Sequence, residues 1–376
     1  MKILFAGGGT GGHFYPIIAV ARALRDLAEK ERIARLDLVL MSDDPYDVDI
    51  LRQENIDFKS VPAGKMRRYF SLQNFVDYFK TFFGIIRAIW GIFWDMPDVV
   101  FGKGGYASFP AMVAARFFRI PVMIHESDTV PGRVNLWAGK FATRVAVAFP
   151  EAMSYFPKER TALIGNPVRR HVIGGSRDEA IRAFSLDAKI KTIFVIGGSQ
   201  GSQKINDILL SVLPELVKKY NVIHQSGKAN FDYVKGRASV ILNKNADALR
   251  YHPLSFVSEG DMRNISQAAD LVVSRAGAGA IFEIAAWGVP SILIPLQGSA
   301  GNHQNENAYA YVKSGAASII EEANLSPHIF AFDIDKILLD DKKLMEMRQA
   351  ASRFARLDAA DKIARALLDM ALEHAS

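Results

Sequence analysis

The sequence predicts an α/β fold built as two similar halves, each a parallel sheet with helices on both faces. Three observations carry this. Short apolar runs of strand length alternate with longer helix-periodic segments along most of the chain, the pattern of βαβ units. A glycine-rich turn, Gly7-Gly8-Gly9-Thr10-Gly11-Gly12-His13, separates the first such strand from the first helix. A second, Gly197-Gly198-Ser199-Gln200-Gly201, follows a strand near the middle of the chain. Each half is therefore Rossmann-like and opened by its own phosphate-type loop. Ligands on such sheets bind at the C-terminal ends of the strands, so the halves are expected to face each other across a cleft.

In the first half, strands are predicted at 2–6, 36–41, 97–101, 121–125 and 144–148, with helices at 15–30, 72–93, 108–118 and 132–141. The pattern breaks near Gly165-Asn166-Pro167, and 166–191 reads as a polar linker. In the second half, strands are predicted at 192–196, 221–225, 238–242, 254–257, 271–274 and 291–295. Helices are predicted at 203–219, 261–269, 279–287 and 303–313, and the last 35 or so residues read as one or two amphipathic helices. The domains expected are 1–165 and 166–355, with 356–376 as a terminal helix.

The chain has 376 residues, 49% of them hydrophobic and 23% charged, enough for roughly two soluble domains. A formal net charge of +6 favours anionic partners without choosing among phosphates, acidic lipid and nucleic acid. There is no cysteine, which excludes disulfides, thiol catalysis and thiolate metal sites. Met1-Lys2 leads straight into a strand, so no signal peptide is visible. No apolar run approaches the roughly 20 residues of a membrane span; the nearest, Phe82 to Trp94, is short and carries Arg87.

The first loop lets backbone N–H groups approach a phosphate, and a helix N-terminus adds positive potential there. Gly7-x-Gly9-x-x-Gly12 formally matches a dinucleotide fingerprint, and Asp43 and Asp44 stand where a ribose-binding acid would sit. An NAD(P)-dependent oxidoreductase is thus one reading. Against it, Thr10 and His13 crowd the loop with functional side chains, and the second half repeats a phosphate loop. His13 could take a proton from a bound hydroxyl or simply bond backbone at a helix entry. Gly102-Lys103-Gly104-Gly105-Tyr106 resembles another anion loop, without the Walker spacing. His125-Glu126-Ser127-Asp128 ends the next strand, where a His–Glu pair could orient an acceptor or form a structural turn.

In the second half, Arg275-Ala276-Gly277-Ala278-Gly279-Ala280 precedes a helix carrying Glu283. Small residues there admit a diphosphate to the helix N-terminus, and Glu283 could accept from ribose hydroxyls or be an ordinary paired glutamate. His303-Gln304-Asn305 opens the next helix with amide side chains suited to sugar hydroxyls or to capping. Residues 66–97 combine Arg67, Arg68, Lys80 and Arg87 with Phe75, Tyr78, Phe79, Phe82, Phe83, Ile85, Ile86, Ile89, Trp90, Phe93 and Trp94. That mixture suits an anionic membrane surface; the other reading is a fully buried helix.

Taken together these motifs resemble the MurG family of bacterial glycosyltransferases. The shared pieces are Gly8 to His13, Gly104-Gly105-Tyr106, His125-Glu126, Gly165-Asn166-Pro167-Val168-Arg169, Gly197 to Gly201, His224-Gln225-Ser226-Gly227, Arg275-x-Gly277-Ala278 with Glu283, and Gln304-x-x-Asn307-Ala308. They occur in the family's order over nearly the whole chain. The resemblance implies a GT-B fold whose C-terminal helix crosses back to the first domain. It implies metal-independent, inverting transfer of N-acetylglucosamine from UDP-N-acetylglucosamine to the muramic acid 4-hydroxyl of lipid I, giving lipid II. No cofactor and no nucleic acid are implied; the place is the cytoplasmic face of the cell membrane, with docking through 66–97. His13 falls on the base position. The donor falls to Thr10, Gly11, Gly12, Asp128, Arg169, Ser199, Ala278, Gly279, Ala280, Glu283 and Gln304. The acceptor falls to Gly9, Thr10, Gly11, Gly104, Gly105, Tyr106, His125 and Glu126. Two positions depart from the family: Asp128, where asparagine is frequent, and Ala280, where a hydroxyl residue is common. A UDP-sugar epimerase shares the implied architecture and stands as the rival enzyme; a non-catalytic lipid-binding module is the rival outside enzymes.

Overall fold

The computed structural model describes residues 1–65, 72–198, 201–298 and 302–375. The chain divides into two compact units, Met1–Val168 with Arg356–Ser376, and Arg169–Ala355.

The first unit runs β1 (Lys2–Ala6), α1 (Gly11–Lys30), β2 (Asp37–Ser42), α2 (Val48–Gln53), β3 (Asp57–Ser60), α3 (Leu72–Asp95), β4 (Val99–Gly102), α4 (Phe109–Phe117), β5 (Val122–Glu126), α5 (Arg133–Ala138), β6 (Arg144–Val147) and β7 (Thr161–Leu163). Its seven strands are all parallel, in the order β3-β2-β1-β4-β5-β6-β7. The unbroken apolar stretch of β1 follows from burial on both faces. Ile3 and Phe5 point into one core while Leu4 and Ala6 point into the other, as the period of two requires. The strand order reverses between β1 and β4. At such a switch point the loops leaving two neighbouring strands diverge and leave room for a ligand.

The second unit runs α6 (Arg177–Phe184), β8 (Thr192–Ile196), α7 (Gln203–Leu216), β9 (Asn221–Gln225), α8 (Phe231–Ile241), β10 (Tyr251–Leu254), α9 (Glu259–Ala268), β11 (Leu271–Ser274), α10 (Ala278–Trp287), β12 (Ser291–Leu293), α11 (His303–Val312), β13 (Ala317–Ile319), α12 (Pro327–Leu338) and α13 (Asp341–Phe354). Its six parallel strands lie in the order β10-β9-β8-β11-β12-β13, so its switch point falls between β8 and β11. The last helix, α14 (Ala359–Ala375), belongs to the first unit. There Ile363, Ala364, Leu367 and Met370 share a core with Ile17, Val20 and Leu24 of α1, and Arg365 pairs with Glu31.

Several local expectations are corrected. The strand expected at 238–242 is the end of α8. Ala238 and Leu242 are buried while Val240 is 75% exposed, a spacing of four that marks a helix, but a short apolar run hides it. The strand expected at 254–257 ends at Leu254 instead. The supposed linker 166–191 contains α6, whose N-cap Ser176 accepts from the Glu179 N–H. The structure adds α2, β3, β7, β13 and α12, and the strands among them are only three or four residues long.

Candidate functional site

In the first unit the switch point is formed by the loops after β1 and β4. Thr10 is the N-cap of α1, which begins at Gly11, four residues before the predicted start. This places His13 in the first helical turn, with its backbone N–H on the Thr10 carbonyl at 3.1 Å. Its Nδ1 lies 3.2 Å from the Gly8 carbonyl oxygen and 3.2 Å from Thr10 Oγ1. A carbonyl can only accept, so the bond to Gly8 requires the hydrogen on Nδ1. In that tautomer the basic nitrogen is Nε2.

The loop after β4 closes over this ring. Gly105 has φ +78°, and a Cβ there would sit 3.1 Å from His13 Cε1. Gly104 has φ +88°, and its Cβ would meet Asn135 Nδ2 at 2.7 Å. Both positions need glycine for conformation and for space. Next to them, the Tyr106 hydroxyl donates to Asp43 Oδ2 at 2.7 Å. Burial, reinforced by Asp43, pushes that phenol above its usual range. Asp43, read as a possible ribose acid, therefore anchors a tyrosine instead.

His125 and Glu126, expected as acceptor contacts, are buried inside the unit, at 0% and 4% exposure. His125 bonds the Gly165 carbonyl through Nε2 at 2.8 Å, and burial holds its pKa well below the ordinary value. The Glu126 carboxylate accepts from the N–H groups of Asp128 and Gly132, each at 3.0 Å, and from Asn135 Nδ2 at 2.9 Å. It braces the turn that presents half-buried Asp128. Lys103, passed over as a single residue in the sequence, is buried beside this turn with its ammonium on Ser127 Oγ. Burial lowers its pKa to about 8, with Glu126 and Asp128 opposing the fall.

In the second unit the loops after β8 and β11 meet the N-termini of α7 and α10. The predicted donor residue Ser199 lies outside the described residues. Ser202 caps α7 by accepting from the Ile205 N–H at 3.5 Å. Gly277 is the N-cap of α10, so Ala278, Gly279 and Ala280 form its first turn. With no side chain beyond a methyl, their backbone N–H groups can meet an anion directly. Glu283, one turn on, is held in a bidentate pair: Arg169 Nε to Oε1 at 2.8 Å and NH2 to Oε2 at 3.1 Å. The same guanidinium reaches Glu259 Oε1 at 3.4 Å. Glu259, which is not among the expected site residues, is the first residue of α9. Gln304 Oε1 accepts the Leu296 N–H at 2.9 Å and fixes the loop after β12.

A further surface lies on α3. Phe75, Tyr78, Phe79, Phe82, Phe83, Trp90 and Trp94 are all more than half exposed, while Ala88 and Ile92 are buried. The exposed aromatics continue to the end of α4, where Phe117 is 67% exposed and Phe118, the next residue, meets Phe93 of α3 at a ring separation of 6.2 Å. The reading of a fully buried helix is excluded. Arg67 and Arg68 lie outside the described residues, and exposed Lys80 and Arg87 flank the patch. No helix among the described residues is long and apolar enough to cross a membrane.

Two parallel sheets, each with a switch point lined by small residues, define a protein of two Rossmann-like units. Family models agree: the N-terminal domain of glycosyltransferase family 28 matches residues 3–147 and its C-terminal domain matches 192–363. The chain belongs to glycosyltransferase family 28. More particularly, it is 34% identical over 365 residues to the UDP-N-acetylglucosamine–N-acetylmuramyl-(pentapeptide) pyrophosphoryl-undecaprenol N-acetylglucosamine transferase of Halalkalibacterium halodurans, covering 96% of this chain and 98% of that one. The protein of the same description from Listeria welshimeri is also 34% identical, covering 98% of this chain and 99% of its own. Among solved structures, MurG of Acinetobacter baumannii superposes with a TM-score of 0.75 at 24% identity over 98% of this chain and 99% of that one. A putative UDP-N-acetylglucosamine 2-epimerase from Listeria monocytogenes gives 0.70 at 16% identity, covering 99% and 97%. The likeness to both solved structures is one of fold.

Proposed function

We propose that this chain transfers N-acetylglucosamine from UDP-N-acetylglucosamine to the muramic acid 4-hydroxyl of an N-acetylmuramyl-(pentapeptide) pyrophosphoryl-undecaprenol, with inversion. The observation that carries the chemistry is the Gly8–His13 bond, which leaves Nε2 as the basic nitrogen at the first switch point. Nε2 takes the proton of the attacking hydroxyl as its oxygen bonds to the anomeric carbon. The bond to UDP breaks in the same displacement, and negative charge grows on the leaving diphosphate. The N-terminal turns of α7 and α10 offer backbone N–H groups and positive potential to that charge. Glu283, oriented by Arg169, accepts from the ribose hydroxyls, and Gln304 lies at the sugar end. Gly9, Thr10, Gly11, Gly104, Gly105 and Tyr106 receive the acceptor, and Asp128 the donor sugar.

The exposed aromatics of α3 dock the enzyme on the membrane that holds its acceptor, at the cytoplasmic face. Interfacial aromatics with flanking lysine and arginine support this reading. A transfer assay with a lipid I analogue and a panel of UDP-sugars tests the function. The expected product is the disaccharide lipid, formed from UDP-N-acetylglucosamine only. Turnover of the donor without any acceptor would instead identify an epimerase.

A further inference from the structure

The turn after β13 carries Glu322, whose side chain is only 4% exposed and whose carboxylate joins three separate segments of the second unit. Oε1 accepts from Arg275 NH2 at 2.8 Å. Oε2 accepts from the Gln297 N–H at 3.2 Å and from Lys204 Nζ at 3.3 Å. Arg275 extends the network, with the same NH2 on Ser202 Oγ at 2.7 Å and NH1 on the Ile294 carbonyl at 3.1 Å. Ser202 and Lys204 belong to the start of α7, Arg275 to the loop after β11, and Ile294 and Gln297 to the loop after β12. Those three segments line the β8/β11 switch point, yet nothing in the motifs pointed to Glu322.

We infer that Glu322 is a positioning residue for the donor: its carboxylate ties the three loops into one arrangement and keeps two cations, Arg275 and Lys204, beside the diphosphate site. The inference rests on the donor reading of the second unit given above. The chemistry favours it. A buried carboxylate is costly unless paired, and this one is satisfied by one arginine, one lysine and one backbone N–H from different segments. Although burial opposes it, the hydrogen bond and charge of Arg275 hold the Glu322 carboxyl below its ordinary pKa, so it is ionised at neutral pH. Lys204 is the outermost member, with 61% of its side chain exposed. It can swing from Glu322 to a phosphate oxygen, and Arg275 remains to hold the carboxylate. Glu322 itself never touches the ligand.

The test is calorimetric binding of UDP together with steady-state kinetics for Glu322→Ala, Glu322→Gln and Glu322→Asp in the full chain. For Glu322→Ala the expected result is UDP affinity and donor KM worse by about tenfold or more, with kcat within about threefold and acceptor KM unchanged. Glu322→Asp restores more than half of the lost affinity. If folded Glu322→Ala binds UDP as tightly as wild type, the inference fails. Where Glu322→Ala melts before binding can be read, Glu322→Gln decides: it keeps the acceptor for Gln297 and loses the charge, so a loss of about threefold or more supports the inference and unchanged affinity overturns it. Wild-type chain that does not bind UDP at all would overturn the donor reading itself, a result distinct from either.

Discussion

The two units share one topology and use it differently. Each sheet reverses its strand order at one place, and each reversal is lined by small residues. At β1/β4 the walls are backbone, a glycine loop on each side, with His13 as the titratable ring between them. At β8/β11 the walls are braced by ion pairs, Arg169 with Glu283 and Glu259, and Arg275 with Glu322. The fold supplies a place for a ligand; the loops decide what chemistry happens there. An open glycine wall with one oriented base suits removal of a proton from a bulky acceptor. A charged, pre-paired wall suits repeated binding of one nucleotide, because the side chains are already fixed before it arrives.

Substitutions at the two places should therefore fail in different ways. The largest effect is expected at the base. His13→Ala should lower kcat by about a hundredfold to ten-thousandfold with donor KM little changed; near-normal turnover in a folded protein would remove His13 from the mechanism. At the braced wall, Arg169→Ala releases Glu283 and should raise donor KM by about tenfold or more, with a smaller change in kcat. Kinetics in which kcat falls and donor KM stays constant would erase the contrast. On the outer face, Phe82→Ser and Trp90→Ser together should weaken binding to liposomes containing anionic lipid while leaving transfer to a soluble acceptor analogue intact. Unchanged sedimentation with liposomes would move the docking surface elsewhere.

The smallest effect concerns Lys103, a buried lysine whose pKa falls from 10.5 to about 8 on folding. Between those values the unfolded chain holds a proton that the folded chain has released. Stability of the first unit should then rise with pH across that window, by about 3 kcal/mol at most. Denaturant titrations at stepped pH should show this rise in wild type and a flatter profile in Lys103→Met. Equal profiles would mean that Lys103 keeps its proton in the folded state.

Much of the fold was legible because buried parallel strands are uninterrupted apolar runs and because both glycine loops follow such runs. The misplaced elements were those whose pattern is ambiguous or short. Residues 238–242 look like a strand until Val240 is seen to face solvent, and three-residue edge strands such as β7 leave almost no pattern. In the site, backbone-driven features were visible in advance: the glycine loops, and His13 at a helix entry. Side-chain braces were not. Asp43 on Tyr106 and Glu322 across three loops join residues 63 and 25 to 118 positions apart, and no local spacing announces such pairings. His125 and Glu126 are a further case: a strand end pointed to them, while their bonds to Gly165, Asp128, Gly132 and Asn135 come from segments that fold over that end.

The division of labour is tested most directly by measuring UDP affinity in His13→Ala and Arg169→Ala side by side, each checked for an unchanged melting profile. The account predicts that His13→Ala binds UDP within about twofold of wild type while Arg169→Ala loses about tenfold or more. Equal loss in both variants would contradict it, since the imidazole would then belong to the nucleotide site and the two units would not divide base from donor.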